Sequence, residues 1–541
     1  MTDTFDHVIV GGGTAAGILA WRLSEAGRSV CVLEAGPADR NPYIRVPAGF
    51  MKTLFDPRIT FQLKSDPDPA TDNRTIPYTQ GKVLGGSSSV NGMVYNRGQA
   101  ADFDRWAQLG NPGWGYADVL PYFRRTEARV APASDPEPDR LYRGSDGPLT
   151  VSTSPWDSEI IDAFIAAAQA CGHPLNADYN GASQEGVGRY QSAIRNGRRM
   201  STAKAFLHPA RRLNGIDVRT HAHATNITLT EGRATGVVYR RGGVTETVHA
   251  RAGVILSAGT VNSPKLLQLS GIGPAALLRT LGIDPVHDLP GVGDNLRDHY
   301  SPRIVARVCR GVASLNQVAT GLPLLAQIAR WLTGRPSLLA LSPALVHVFG
   351  KSAPTLEWPD YSLVFTPGSY KAGFIGVLDD APGITCGAWQ MRPESSGYVR
   401  LRSADPADPP HINPRYLTDP LDIQVLLAGL RAVRAIFAMP PLAGLIESEL
   451  FPGRTCASDD DLIAFARAHG NSSYHLVGSC KMGPAEQAGS VVDARLRVHG
   501  IASLHVIDAS IMPTMPSANT YAATMLVAEK GSDMVLKDTR Q

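Results

Sequence analysis

The chain has 541 residues, 19 % of them charged, and a formal net charge of +3. That length can bury a large core and fill two or more structural domains, while so small a surplus of charge gives no strong field for nucleic acid or a membrane. Its six cysteines (Cys31, Cys171, Cys309, Cys386, Cys456 and Cys480) form no C-x-x-C pair, which gives no metal cluster and suits a reducing cytoplasm.

Val8, Ile9 and Val10 form a strand that runs into Gly11-Gly12-Gly13-Thr14-Ala15-Ala16-Gly17. A helix follows to Gly27, and a second strand from Ser29 to Leu33 ends on Glu34. The apolar run at Val8 is too short for a targeting signal and leads directly into the turn. Gly11 permits a tight turn, Gly13 lets backbone approach a pyrophosphate at the helix N-terminus, and Ala16 is small enough for close helix–strand packing. Glu34, 23 residues beyond Gly11, is placed to accept hydrogen bonds from a ribose diol. The unit predicts a dinucleotide ligand.

The next informative stretch is Tyr78 to Met93, with Gly85-Gly86-Ser87-Ser88-Ser89-Val90-Asn91-Gly92 at its centre. Small residues there let backbone approach a flat ligand, and the hydroxyls and Asn91 supply hydrogen bonds. Ile216–His223 and Gly236–Arg240 read as strands of a small antiparallel layer. Gly253–Gly259 reads as a buried strand ending in a glycine turn, and Thr260 opens a helix with Pro264 near its first turn. In the turn-rich segment Gly291 to His299, His299 reads as a structural, hydrogen-bonded histidine rather than a catalytic one.

From about residue 306 to 475 the texture changes to many prolines and alternating runs such as Tyr398-Val399-Arg400-Leu401. This reads as a second, sheet-containing domain whose side chains wall a cavity. The apolar stretch Leu322–Phe349 is broken by Arg330 and Arg335, against a membrane span. Nucleotide-domain character returns with the strand Leu504–Asp508, an irregular turn Ser510–Ser517, and Asn519 as N-cap of a helix through Lys530. First and last segments are expected to share one sheet. The fold class is α/β (α+β overall), a Rossmann-like domain with a second sheet-containing domain. The expected boundaries are 1–155, 195–305 and 490–541 for the first, and 156–194 and 306–489 for the second.

Together these motifs resemble the glucose–methanol–choline (GMC) family of flavin oxidoreductases, essentially end to end. The resemblance rests on the glycine turn with Glu34, Gly85–Asn91, Gly259–Pro264 and Gly291–Leu296. It rests also on Tyr474-His475-Leu476-Val477-Gly478-Ser479-Cys480-Lys481-Met482-Gly483, and on Asp508-Ala509-Ser510 followed by Asn519. It implies FAD as cofactor, held by Gly11, Gly13, Thr14, Ala15, Glu34, Gly81, Val83, Gly86, Ser87, Asn91, Gly92, Met93, Ala224, Ser257, Gly259, Asp508, Ala509, Asn519 and Thr520. It also implies that His475 and Asn519 form the catalytic pair. By their residue types alone these would read as a core histidine and a helix cap. A neutral imidazole can take a hydroxyl proton, and an amide can donate to the developing alkoxide.

Three departures shape the expectation. Leu476 stands where the family often has proline. Val90 stands where some oxidases carry a histidine that attaches the flavin, so FAD is expected to be non-covalent. Trp331–Lys351 holds no Asp or Glu, which disfavours choline, whose trimethylammonium group calls for an anionic or aromatic cage. Leu332, Leu338, Leu339, Leu341, Leu345 and Val346 are read instead as an apolar cavity wall. The expected partners are a neutral, partly apolar primary alcohol, aryl or aliphatic, and oxygen or another electron acceptor. The alternatives are a choline-type dehydrogenase and a GMC-type lyase in which flavin is not turned over.

Overall fold

The computed structural model describes residues 3–133, 135–371 and 377–538. Strand β1 (Thr4–Val10), helix α1 (Thr14–Glu25) and strand β2 (Val30–Leu33) form the first unit. The strands pair in parallel with Val8 beside Cys31. β2 and the Val8–Val10 end of β1 are wholly apolar and buried, as strands covered on two faces must be, while the centre of β1 carries the buried His7. β3 (Ile216–Arg219) extends this sheet in parallel beyond β2. The antiparallel ribbon is made by β4 (His223–Thr230), β5 (Arg233–Arg241) and β6 (Val244–Leu256). The expected antiparallel partner Ile216–His223 is therefore two elements. Its first half joins the parallel sheet, and only its last residue begins the ribbon.

β6 is long enough to serve both layers. Its first half pairs with β5, and its second half passes between β1 and β7 (Leu504–Val506), parallel to each. The first and last segments of the chain thus meet across one strand. Helix α2 (Gly259–Leu269) follows β6, and helix α3 (Thr520–Asp538) packs along α1. α3 is buried on nearly every side, which is why its sequence shows little amphipathic pattern. Pro264 lies inside α2 rather than in its first turn, because the helix already starts at Gly259. The Thr260 carbonyl, which a proline at 264 cannot engage, accepts the Ser479 hydroxyl instead.

The second sheet has six antiparallel strands, ordered Ile446–Phe451, Arg303–Val308, Gly383–Gln390, Tyr361–Thr366, Val346–Gly350 and Gly186–Arg189. Its period-two alternation divides two buried faces. Leu363, Phe365, Ile384, Cys386 and Ala388 enter a core beneath the helix Pro420–Ala438, while Val364, Thr366, Thr385, Gly387 and Trp389 face a cavity.

That sheet corrects the expected cavity wall. Leu338, Leu341, Leu345 and Val346 are packed into the second core, Leu339 lies against it, and Leu332 is exposed. From this stretch the wall takes only Pro343 and Ala344. Val477, Cys480 and Met482, on the second-domain side of the boundary expected at 489/490, are packed in the first core. Among the described residues no helix is long and apolar enough to cross a membrane.

Candidate active site

The two glycine motifs, far apart in sequence, close on each other. Gly11 has φ +95°, and a Cβ there would sit 2.5 Å from the Ser257 carbonyl oxygen. Gly86 has φ +53°, and its Cβ would lie 2.7 Å from Gly13 Cα. Gly85 N–H donates to the Gly12 carbonyl at 2.7 Å. Only glycine allows both the left-handed backbone and this approach. Glu34 is buried, and its carboxylate accepts Gly12 N–H and Gly36 N–H, each at 2.8 Å. Burial pushes its pKa up to about 7 against the pull of those two bonds. Asp508, likewise raised by burial, accepts Gly259 N–H at 2.9 Å and Ser510 N–H at 2.8 Å. It thereby ties the start of α2 to the turn after β7.

These groups line one cavity of about 420 Å³ together with His475 and Asn519. Gly11, Gly13, Thr14, Ala15, Glu34, Gly81, Gly86, Ser87, Asn91, Gly92, Met93, Ala224, Ser257, Gly259, Asp508, Ala509 and Thr520 all lie on its wall. Val83 does not. It is packed with Ile44, Ile59 and Val90 in a small core of its own, and its carbonyl shapes the turn by accepting Gly86 N–H.

At the other end of the cavity three side chains form a hydrogen-bonded row. Asn519 Nδ2 is 3.0 Å from His475 Nε2, His475 Nδ1 is 3.0 Å from His299 Nδ1, and His299 Nε2 is 2.8 Å from the Met391 carbonyl. A carbonyl only accepts, so His299 carries its proton on Nε2. His299 Nδ1 is then the acceptor, which makes His475 the donor through Nδ1. His475 Nε2 is left bare and receives the Asn519 amide. Both rings are held neutral by burial, which lowers His475 well below 6.5 and His299 to about 4. The protonation of each also opposes that of the other.

The backbone around His475 is fixed with equal care. Asp298 is buried, accepts His475 N–H at 2.8 Å, and also receives the hydroxyls of Ser472 and Tyr416. Burial raises its pKa to about 6 against those bonds. Tyr474, just before the histidine, has φ +63°, a conformation costly for a bulky residue and stored where the surroundings enforce it. The Leu476 carbonyl accepts the Thr260 hydroxyl at 2.7 Å. The turn is thus anchored to α2 without the family's proline.

Asn519 precedes α3 as expected, yet its side chain does not cap that helix. Its Oδ1 is buried with no hydrogen-bond partner, because the amide is turned to His475. His299 is a hydrogen-bonded histidine, as read from the sequence, but its partner is the candidate base. Its ring also stacks on Trp389 with centroids 5.7 Å apart. Sequence reasoning missed Trp389, Tyr370 and Arg303, which line the same end. Trp389 gave no signal because its strand is buried on both faces and so carries no alternation. The Asp298-His299 pair was the one visible signal.

Residues 5–301 and 393–528 match two family profiles, each described as GMC oxidoreductase. The chain is 37 % identical over 542 residues to an alcohol dehydrogenase (acceptor) from Pseudomonas putida, covering 98 % of this chain and 96 % of that one. It is 39 % identical over 535 residues to an oxygen-dependent choline dehydrogenase from Sinorhizobium fredii, covering 98 % and 95 %. Among solved structures, the pyridoxine 4-oxidase from Mesorbium loti superposes with a TM-score of 0.87 at 27 % identity, covering 98 % of each chain.

Proposed function

The chain belongs to the GMC oxidoreductases, FAD-dependent enzymes that oxidise alcohols, and on that footing we propose how this one works: His475 is the base that takes the hydroxyl proton of a primary alcohol, and Asn519 is the donor that steadies the alkoxide. The observation that carries this reading is the row Asn519–His475–His299–Met391, which leaves a bare ring nitrogen on the cavity side of His475.

The residues present fit FAD. Gly11, Gly13 and Gly86 line the cavity with bare backbone, and a Cβ at Gly11 or Gly86 would strike the Ser257 and Gly13 backbone that shapes this wall. Glu34 uses two of its acceptor sites on backbone and keeps others for a ribose diol. Val90 offers no nucleophile to the cavity, in keeping with non-covalent FAD. Bound FAD supplies the hydride acceptor for the alcohol carbon, and oxygen or another acceptor later removes the electrons. Residues 1–155, 195–305 and the C-terminal strand and helix serve the cofactor, and the six-stranded sheet walls the substrate.

His475 does the proton work. An alcohol hydroxyl entering between His475 and Asn519 meets the bare Nε2 as acceptor and the Asn519 amide as donor. Once Nε2 takes the proton, Nδ1–H still donates to neutral His299, which partly offsets the cost of a charged buried ring. Asp298 and the Thr260–Leu476 bond hold the ring against drift. Its protonated fraction is small at neutral pH, so the base is ready without prior deprotonation.

The substrate end favours an uncharged alcohol. The cavity's carboxylates, Glu34 and Asp508, are engaged by backbone at the cofactor side. The charged group on the substrate wall is Arg303, whose field reaches Tyr370 and Tyr474. A guanidinium there repels trimethylammonium. Choline is the competing substrate because several relatives carry that name, and the aromatic faces of Trp389 and Tyr474 keep it in view. Six cysteines without a disulfide among the described residues accord with a reducing compartment such as the cytoplasm. Anaerobic titration with benzylic, aliphatic and polyol alcohols and choline, followed by flavin absorbance, tests the reading. Bleaching by apolar alcohols but not choline supports it. Flavin that no alcohol reduces defeats it and favours the lyase alternative.

A further inference from the structure

The helix Gly321–Leu332 has no buried residue. Leu324, Ile328 and Trp331 lean on the protein, and the Trp331 indole N–H donates to the Gly197 carbonyl at 2.7 Å. The outer face carries Leu322, Leu325, Ala329 and Leu332, spaced three or four residues apart and so in one stripe. Leu322, Leu325 and Leu332 are 81 %, 60 % and 66 % exposed. Leu322 is the most exposed large apolar side chain among the described residues. Such a stripe on a charged surface marks a docking face.

Five exposed arginines surround it. Arg330 and Arg335 belong to the helix and the turn after it. The Arg198 guanidinium lies 5.4 Å from the Trp331 ring centroid, and Arg195 is its cross-strand partner. Arg45 ends a short helix, Pro42–Arg45, that touches the same hairpin. None of the five makes an ion pair among the described residues. From His299 to Leu356 the chain has no Asp or Glu at all. An acid does approach the Arg45 helix: Asp56 accepts the Asn41 amide at its start, and it is paired with Arg58. The net charge of +3 conceals this local concentration.

We propose that this face docks on an anionic phospholipid bilayer. The helix lies in the interface plane, its three leucines entering the acyl boundary while the arginines meet lipid phosphates. A second copy of the chain is a poorer occupant, because a two-fold interface would set the same arginines against each other with no acids from this segment to neutralise them. The face adjoins the cavity: six residues past Ser337, Pro343 lies on the cavity wall, and Ser342 donates to the Gly92 carbonyl at 2.7 Å. An apolar alcohol dissolved in lipid would therefore be delivered beside the site. The inference stands apart from the catalytic reading, since it is tested by binding and not by turnover.

The test is flotation of the FAD-loaded enzyme with phosphatidylcholine vesicles, with and without phosphatidylglycerol. The wild type is expected to float with the phosphatidylglycerol vesicles about tenfold more than with phosphatidylcholine alone, an effect erased by high salt. L322E/L325E/L332E is expected to stay in solution, and R330E/R335E to lose about tenfold in binding. Both variants should keep their visible flavin spectrum and their reduction by a short soluble alcohol. Wild type that fails to float, or leucine and arginine variants that float as before, overturns the proposal. So does a wild type that ignores vesicles but forms a dimer split by the leucine variant, because the face would then belong to a second copy.

Discussion

The glycine-turn end and the histidine end of the cavity, proposed to serve cofactor and proton transfer, were built by different means. The first is local: a strand, a glycine turn, a helix and an acid, with Gly11, Gly13, Ala16 and Glu34 inside one stretch of 24 residues. The second is assembled from afar, with His299 and His475 separated by 176 positions and Asn519 another 44 beyond. Local geometry tolerates change at its neighbours, whereas an assembled row fails when any support moves. Substitutions at the second end should therefore alter rate, and those at the first should alter cofactor retention.

The largest effect is expected from His475→Ala. It should slow alcohol-driven flavin reduction by about 10²–10⁴-fold while FAD content stays unchanged. Stopped-flow reduction under anaerobic conditions measures it, and near-wild-type rates would remove His475 from the mechanism.

Asp298→Ala comes next. It leaves the His475 N–H and two hydroxyls without their buried acceptor. A misplaced ring should cost about 100-fold in kcat, with KM changing little and Tm falling by several degrees. Equal loss in an enzyme whose Tm is unchanged would instead point to direct chemistry by Asp298.

At the cofactor end, Gly11→Ala forces a side chain into a left-handed turn and against Ser257. It should yield protein depleted in FAD, read as the ratio of visible to protein absorbance. Any holoenzyme that remains should reduce at close to the normal rate. A variant full of FAD but slow would break the division between the two ends.

The smallest effects are those of pH. Because burial lowers His475 well below 6.5, its neutral form persists across the neutral range, and flavin reduction should be flat above pH 6.5 and fall only in acid. Glu34 shifts the other way, to about 7 from an ordinary 4.5. Folded apoprotein holds a proton there that the unfolded chain has released. Its contribution to stability is thus full below about 4.5 and is lost as pH rises through about 7. The ionised carboxylate is the better acceptor for a diol, so FAD affinity of apoprotein should rise modestly over the same interval. Titrating apoprotein with FAD at several pH values checks the sign.

The sequence by itself determined the strand, glycine turn, helix and strand that end on Glu34, because glycine geometry, strand patterning and a terminal acid are short-range demands that each residue states where it stands. The family resemblance singles out His475 and Asn519, and the structure brings their side chains together. Tertiary structure alone decided that Asn519 turns its amide to His475 instead of capping its helix, that His299 hydrogen-bonds the same ring, and that Val83 packs away from the cavity. It also decided which face of the second sheet is wall, since strands such as Gly383–Gln390 are buried on both sides and carry no alternation to read. Leu332, Leu338, Leu341 and Leu345 all read as wall, yet the last three are core and Leu332 lies outside with Leu322. Hydrophobicity gives the tendency to leave water, and only the packing of distant segments decides which surfaces are there to receive it.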